Sequence, residues 1–162
     1  MKKILAKQFK NLSSGVKLKI KICGTTNLDD ALLCEQLGCD ALGFIFYEKS
    51  KRYIEPENAY SIIKKLSIFN IKVGVFVNQT SDIINQISRK CKLNVVQLHG
   101  SEEPELIDKI DFPVIKCFRI KDNFDFNIVE QYHCNNFIFD SFDENYFGGT
   151  GKKFNWKIIP QK

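Results

Sequence analysis

The chain has 162 residues, 44% of them hydrophobic, and a formal net charge of +5 carried on dispersed lysines. That size and composition fit one globular domain with a sizeable core. The charge suits anionic ligands, but no arginine-rich stripe or nucleic-acid motif is present, and the longest apolar runs are strand-length, too short for a membrane span.

Residues 1–15 are basic, without acids, arginine or a secretory apolar segment, so they read as an N-terminal extension to a domain over 16–162. A reduced, cytoplasmic setting is expected from the absence of secretory features. The six cysteines form no CxxC pair, so no metal site, cofactor or dithiol centre is expected.

From there the chain alternates. The first apolar run is Val16 to Cys23, in which Leu18, Ile20 and Ile22 alternate with Lys17, Lys19 and Lys21. Asn27 or Thr26 caps a helix that reaches Leu37 and stops at Gly38. A second strand, Asp40 to Phe46, precedes a helix opened by Pro56 that buries Ala59, Ile62, Ile63 and Leu66. The third strand, Ile71 to Asn78, leads to a helix capped by Thr80 or Ser81, with Ile83, Ile84, Ile87 and Cys91 on its apolar face. Leu93 to His99 forms the fourth strand, and Ser101 caps the helix after it, with Pro104 in the first turn. Phe112 to Arg119 and Asn136 to Asp140 are the fifth and sixth strands, separated by a short helix near Asn127 to Tyr132. A last helix begins near Asn155 and ends at Pro160.

The mean unit is about 24 residues, close to the minimum for a strand, a helix and two turns. Repeated strand–helix units give a parallel sheet, and chemistry gathers where its strands end. Strand parity sharpens this. If the apolar sets Leu18, Ile20, Ile22; Val96, Leu98; and Phe137, Phe139 pack outward on helices, then Lys21, Cys23, Gln97, His99, Ile138 and Asp140 point inward. Three strands then aim polar groups at one rim. An open sheet covered on both faces would leave such groups buried and unpaired. The pattern predicts an α/β chain of about six βα units curled as in a barrel.

Cys23 lies directly before Gly24-Thr25-Thr26, with Lys21 about 7 Å back along the same strand face. A nearby positive charge favours the thiolate, which can act as nucleophile or general base. A buried inert thiol is the commoner fate of a cysteine taken alone. Asp140 ends an apolar strand, so its pKa should be raised and it can serve as a general acid. Base and acid from opposite ends of the strand series suit a proton-shuffling isomerisation. Arg52 is a candidate anion clamp, and the Gly148-Gly149-Thr150-Gly151 loop can approach a ligand with its backbone. His99 reads as a rim residue.

The stretches Lys21-Ile22-Cys23-Gly24, Gly43-Phe44-Ile45-Phe46, Ser50-Lys51-Arg52-Tyr53, Val73 to Asn78, Gln97-Leu98-His99-Gly100, Asp140 and Gly148 to Gly151, with Phe154 and Trp156, together resemble the phosphoribosylanthranilate isomerase family. Lys51 stands where that family usually has proline, and Asn155 where it usually has aspartate. The resemblance implies an Amadori rearrangement of N-(5-phosphoribosyl)anthranilate in tryptophan biosynthesis. Cys23 would be the general base and Asp140 the general acid. Arg52, Gln97, His99, Gly148 and Gly149 would bind the phosphorylated substrate, with Arg52 at the anthranilate part.

The resemblance also implies an α/β fold of the (β/α)8 TIM-barrel type, incomplete here with about six βα units: a full barrel needs roughly 200 residues, and two more units would add about 48. The family's seventh and eighth strands carry phosphate-binding glycine loops with no counterpart here. The chain is therefore expected to turn over poorly unaided, and to self-associate or pair with a complementing C-terminal chain. The alternative is an inactive partial barrel, kept as an interaction module or simply a non-functional truncated product.

Overall fold

The computed structural model describes residues 18–143 and 155–159. The expected extension at 1–15 and the glycine loop at 148–151 lie outside those residues. Six parallel strands, β1 (Lys21–Cys23), β2 (Ala41–Ile45), β3 (Ile71–Phe76), β4 (Val95–Leu98), β5 (Val114–Ile120) and β6 (Phe137–Ser141), pair strictly in chain order. Helices α1 (Leu28–Gln36), α2 (Pro56–Ile63) and α3 (Ser81–Cys91) connect the first four strands. Short 3-10 helices at Pro104–Lys109 and Phe126–Gln131 connect the last three, and a third lies at Trp156–Ile158.

Local chemistry sets the element ends. Asn27 caps α1 by accepting from Asp30 N at 2.8 Å, and Gly38 takes φ +84 beyond its C-terminus, a conformation that costs glycine little. Thr80 caps α3, and Pro56 begins α2 where its missing N–H is no loss. The first strand is shorter than the expected run, because the Asp40 carboxylate takes Ile20 N at 2.9 Å and ends the ladder there. Ser101 does not cap a helix. Its N–H donates to Asn78 Oδ1 at 2.7 Å, and the segment after it winds as a 3-10 helix preceded by Glu103.

Helix α3 is also turned relative to expectation. Ile84 and Cys91 are buried, but Ile83 is 43% exposed, and Asn85 and Ser88 sit inside instead. The rotation follows from Asn85, which donates to Lys109 O and accepts from Asp111 N, tying the helix to the next connection.

The buried apolar residues form two layers. Leu42, Phe44, Phe76, Val96, Leu98 and Val114 point outward into one cluster with Ala31, Ala59, Ile62, Ile63 and Ile84 from the helices. Ala41, Ile45, Val73, Val75 and Cys117, also buried, occupy the alternate strand positions on the other face. That inner face is concave. On a flat sheet, β1 and β4 would lie about 14 Å apart, yet Lys21 Nζ donates to Gln97 Oε1 at 2.7 Å. The six strands therefore make an open arc of a parallel βα barrel. In the outer layer of β1, Leu18, Ile20 and Ile22 were expected to pack on helices. They are 48%, 42% and 44% exposed, since no described helix crosses them.

Candidate active site

The C-terminal ends of β1 to β4 and β6 enclose a cavity of about 240 Å³. Its wall contains Lys21, Cys23, Arg52, Gln97, His99 and Asp140, with Ile45, Tyr47, Val75, Val77 and Ile138 among the other lining residues. Five of the seven residues singled out from sequence (Cys23, Arg52, Gln97, His99 and Asp140) thus meet at one place. Gly148 and Gly149 lie outside the described residues.

Cys23 reaches the cavity because its neighbour in the ladder has no side chain. A Cβ on Gly43 would stand 2.8 Å from Cys23 Sγ. Gly24, at φ +88, turns the chain after the thiol, and a Cβ there would lie 2.6 Å from Arg52 Cδ. Through that space the Arg52 guanidinium crosses to donate from Nη1 to Cys23 O at 2.7 Å. Its own backbone N–H is held by Ser50 Oγ at 3.2 Å. One guanidinium edge is used for docking, and among the described residues the others meet no hydrogen-bond partner, which suits a planar anion.

Two other thiols behave differently. Burial pushes Cys117 up to about 12 and Cys91 up to about 11, which makes both poor nucleophiles at neutral pH. Lys21 points inward as expected, but its ammonium is hydrogen-bonded to Gln97 rather than committed to the thiol.

Asp140 departs from its expectation. Its carboxyl is held below the ordinary 3.8, not raised. The His99 imidazole beside it is the main cause, followed on the lowering side by the Ser141 N–H, with Arg119 adding charge; partial burial opposes them. His99 Nε2 stands 3.3 Å from Asp140 Oδ2. That contact is close but too far off line for a hydrogen bond, so Nε2 is buried without an aligned partner. Ser141 N donates to Oδ1 at 2.8 Å. The apolar strand around Asp140 suggested desolvation alone, and the imidazole reaching across from β4 outweighs it.

A buried ion pair steadies the loop behind His99. Lys116 and Glu102, each 2% exposed at the side chain, meet at 2.6 Å. Glu102 Oε1 also accepts from Asn78 N and Gly100 N, both at 2.9 Å. A Cβ on Gly100 would stand 2.2 Å from Asn78 Oδ1, so only glycine fits between the two loops.

Arg119 was missed in the sequence. It is the ladder partner of Asp140, donates from Nη1 to Asp143 O at 3.2 Å and stacks on Phe142 at 5.2 Å. Extending the parity reading to β5 would have placed it and Cys117 on the inner face. Tyr47 carried no sequence signal, because it lies in a loop where alternation does not apply.

A curled parallel βα sheet with thiol, guanidinium, imidazole and carboxyl at its C-terminal mouth defines the class as a barrel-type enzyme scaffold. The sequence model described as N-(5'phosphoribosyl)anthranilate (PRA) isomerase matches residues 20–162. N-(5'-phosphoribosyl)anthranilate isomerase of Trichlorobacter lovleyi is 45% identical over 141 residues, 87% of this chain and 69% of that protein. The crystal structure of phosphoribosyl anthranilate isomerase from Thermotoga maritima is similar with a TM-score of 0.77 and 40% identity, over 88% of this chain and 70% of that one. A phosphoribosyl anthranilate isomerase solved in complex with reduced 1-(o-carboxyphenylamino)-1-deoxyribulose 5-phosphate is similar with a TM-score of 0.70 and 41% identity, over 78% and 66% of the two chains. The chain belongs to the PRA isomerase family. It spans about two thirds of the length of these relatives.

Proposed function

We propose that the chain carries out the PRA isomerase reaction of tryptophan biosynthesis in the cytoplasm. The reaction is the Amadori rearrangement of N-(5-phosphoribosyl)anthranilate to 1-(2-carboxyphenylamino)-1-deoxyribulose 5-phosphate. Asp140 gives a proton to the furanose ring oxygen as the C1–O bond breaks and the anilino nitrogen forms a C=N bond. The Cys23 thiolate takes the C2 proton, leaving an enolamine that tautomerises to the ketone. Arg52 pairs with the anthranilate carboxylate, and Gln97, His99, Gly148 and Gly149 contribute to substrate binding. The single observation that carries this reading is that Cys23 and Asp140, from the two outermost strands, line the same cavity.

The low Asp140 pKa fits this chemistry once substrate is counted. An anionic ligand entering a partly desolvated site adds negative charge, and like charge disfavours ionisation of the carboxyl. That effect works against the depression and in the direction the acid role needs. No described helix is long and apolar enough to cross a membrane, which accords with a cytoplasmic biosynthetic role. The exposed outer face of β1 supports association with a second copy or with a polypeptide that supplies further βα units.

The test is loss of substrate fluorescence, followed with and without the remaining C-terminal third of a relative added in trans. Cys23→Ala and Asp140→Asn should each lower kcat by about 100-fold or more, with the circular dichroism spectrum and a cooperative melt kept. Turnover retained in either folded variant would remove the role assigned to that residue.

A further inference from the structure

We propose that Lys21, Gln97 and His99 form a hydrogen-bond chain that fixes the imidazole proton on Nε2, so that His99, besides its contribution to substrate binding, positions the Asp140 carboxyl. The assignment proceeds by elimination. A lysine ammonium has donors only, so the Gln97 atom 2.7 Å from Lys21 Nζ is the amide oxygen. Gln97 is 2% exposed, and no solvent competes for that orientation. The amide nitrogen, which has N–H groups and no usable lone pair, then faces His99 Nδ1 at 2.9 Å. Two donors cannot share that contact, so Nδ1 carries the lone pair. A neutral imidazole has one N–H, which therefore sits on Nε2, 3.3 Å from Asp140 Oδ2.

The chain starts two residues before Cys23 on β1, crosses the cavity to β4 and ends at β6. It links the strand of the base to the carboxyl of the acid. Ser141 N holds Oδ1 and the His99 N–H faces Oδ2, so each carboxyl oxygen meets an N–H of the protein before any ligand arrives. The off-line Nε2 contact is the kind that shortens when a bound molecule closes a site. Burial of the ring makes the wrong tautomer costly, because Nδ1–H would meet the Gln97 amide protons.

The proton assignment rests on hydrogen bonding alone; its effect on turnover rests on the isomerase reading. The full chain carries two histidines. Replacing His133, whose side chain is 72% exposed, by asparagine leaves His99 as the single imidazole signal in two-bond ¹H–¹⁵N spectra. At neutral pH the expected result is an unprotonated-type shift at Nδ1 and a protonated-type shift at Nε2. A proton on Nδ1, alone or together with Nε2, overturns the proposal.

Gln97→Glu supplies a second reading. A carboxylate there accepts from both Lys21 and the ring, so Nδ1 should move to the protonated type, and an unmoved Nδ1 in the folded variant counts against the chain. If the isomerase reading holds, the same variant lowers kcat about tenfold or more with KM changed less than about twofold. Loss through KM alone would return Gln97 and His99 to simple substrate contact. Absence of turnover in every variant, with the tautomer as expected, would indict the function and not the hydrogen-bond chain.

Discussion

The central strands and the two edge strands differ in cover. All five residues of β2 are buried, as are five of six in β3. By contrast β1 has no fully buried residue, and only Ser141 is buried in β6. Yet both candidate reacting groups, Cys23 and Asp140, stand on the edges. Chemistry in this molecule therefore depends on its least supported elements. What ties them in is β4, which binds β1 through Gln97 and β6 through His99. Stability comes from the middle of the arc, and alignment of the site comes from polar contacts that span its hollow.

Paired truncations test that division most strongly. Phe44→Ala removes a fully buried ring from the central layer and should cost about 3–5 kcal/mol in urea denaturation. Ile22→Ala on β1 removes a side chain already 44% exposed and should cost less than about 1 kcal/mol. Equal costs would erase the distinction between middle and edge. Breaking the buried Lys116–Glu102 pair comes next. Lys116→Met leaves a carboxylate without its cation and should cost about 3 kcal/mol. Adding Glu102→Gln should recover part of that loss, and failure to recover any would mean the pair matters through packing alone.

Much of the fold was legible because it repeats. Six apolar runs, each followed by a cap or a helix-opening proline, marked the units, and the alternation within Leu18 to Cys23, Val96 to His99 and Phe137 to Asp140 placed the site. What escaped was set by partners distant in sequence. The rotation of α3 depends on Asn85 meeting the Lys109–Asp111 segment. The lowered pKa of Asp140 depends on an imidazole from β4, whereas its own strand spoke only of burial. Ser101 looked like a cap until Asn78, a strand away, took its N–H. Periodicity reports which face a residue occupies, but not which side chain arrives opposite it.

Covering the edge should sharpen the same contrast. With the remaining C-terminal third of a relative added in trans, amide exchange in β1 should slow by about tenfold or more, while β3 and β4 change little. Turnover should rise in parallel. Uniform slowing across all strands would point to global stabilisation instead of docking at the edge.

The smallest effect is electrostatic and concerns the tie between β6 and β4. A carboxyl with a depressed folded-state pKa adds stability that is fully present above its unfolded value. For Asp140 that unfolded value is the ordinary 3.8, and the gain is lost as pH falls through the lower folded value. The stability difference between the native chain and Asp140→Asn should therefore be constant from neutral pH down to about 5 and shrink below that. Urea midpoints of both proteins at stepped pH measure it. Removing the imidazole with His99→Ala takes away the largest cause of the depression, so the shrinkage should become smaller while its onset stays where it was. A difference that stays flat to the acid limit would mean that His99 does not hold the Asp140 carboxylate, and the edge strand would then owe its place to the β5 ladder alone.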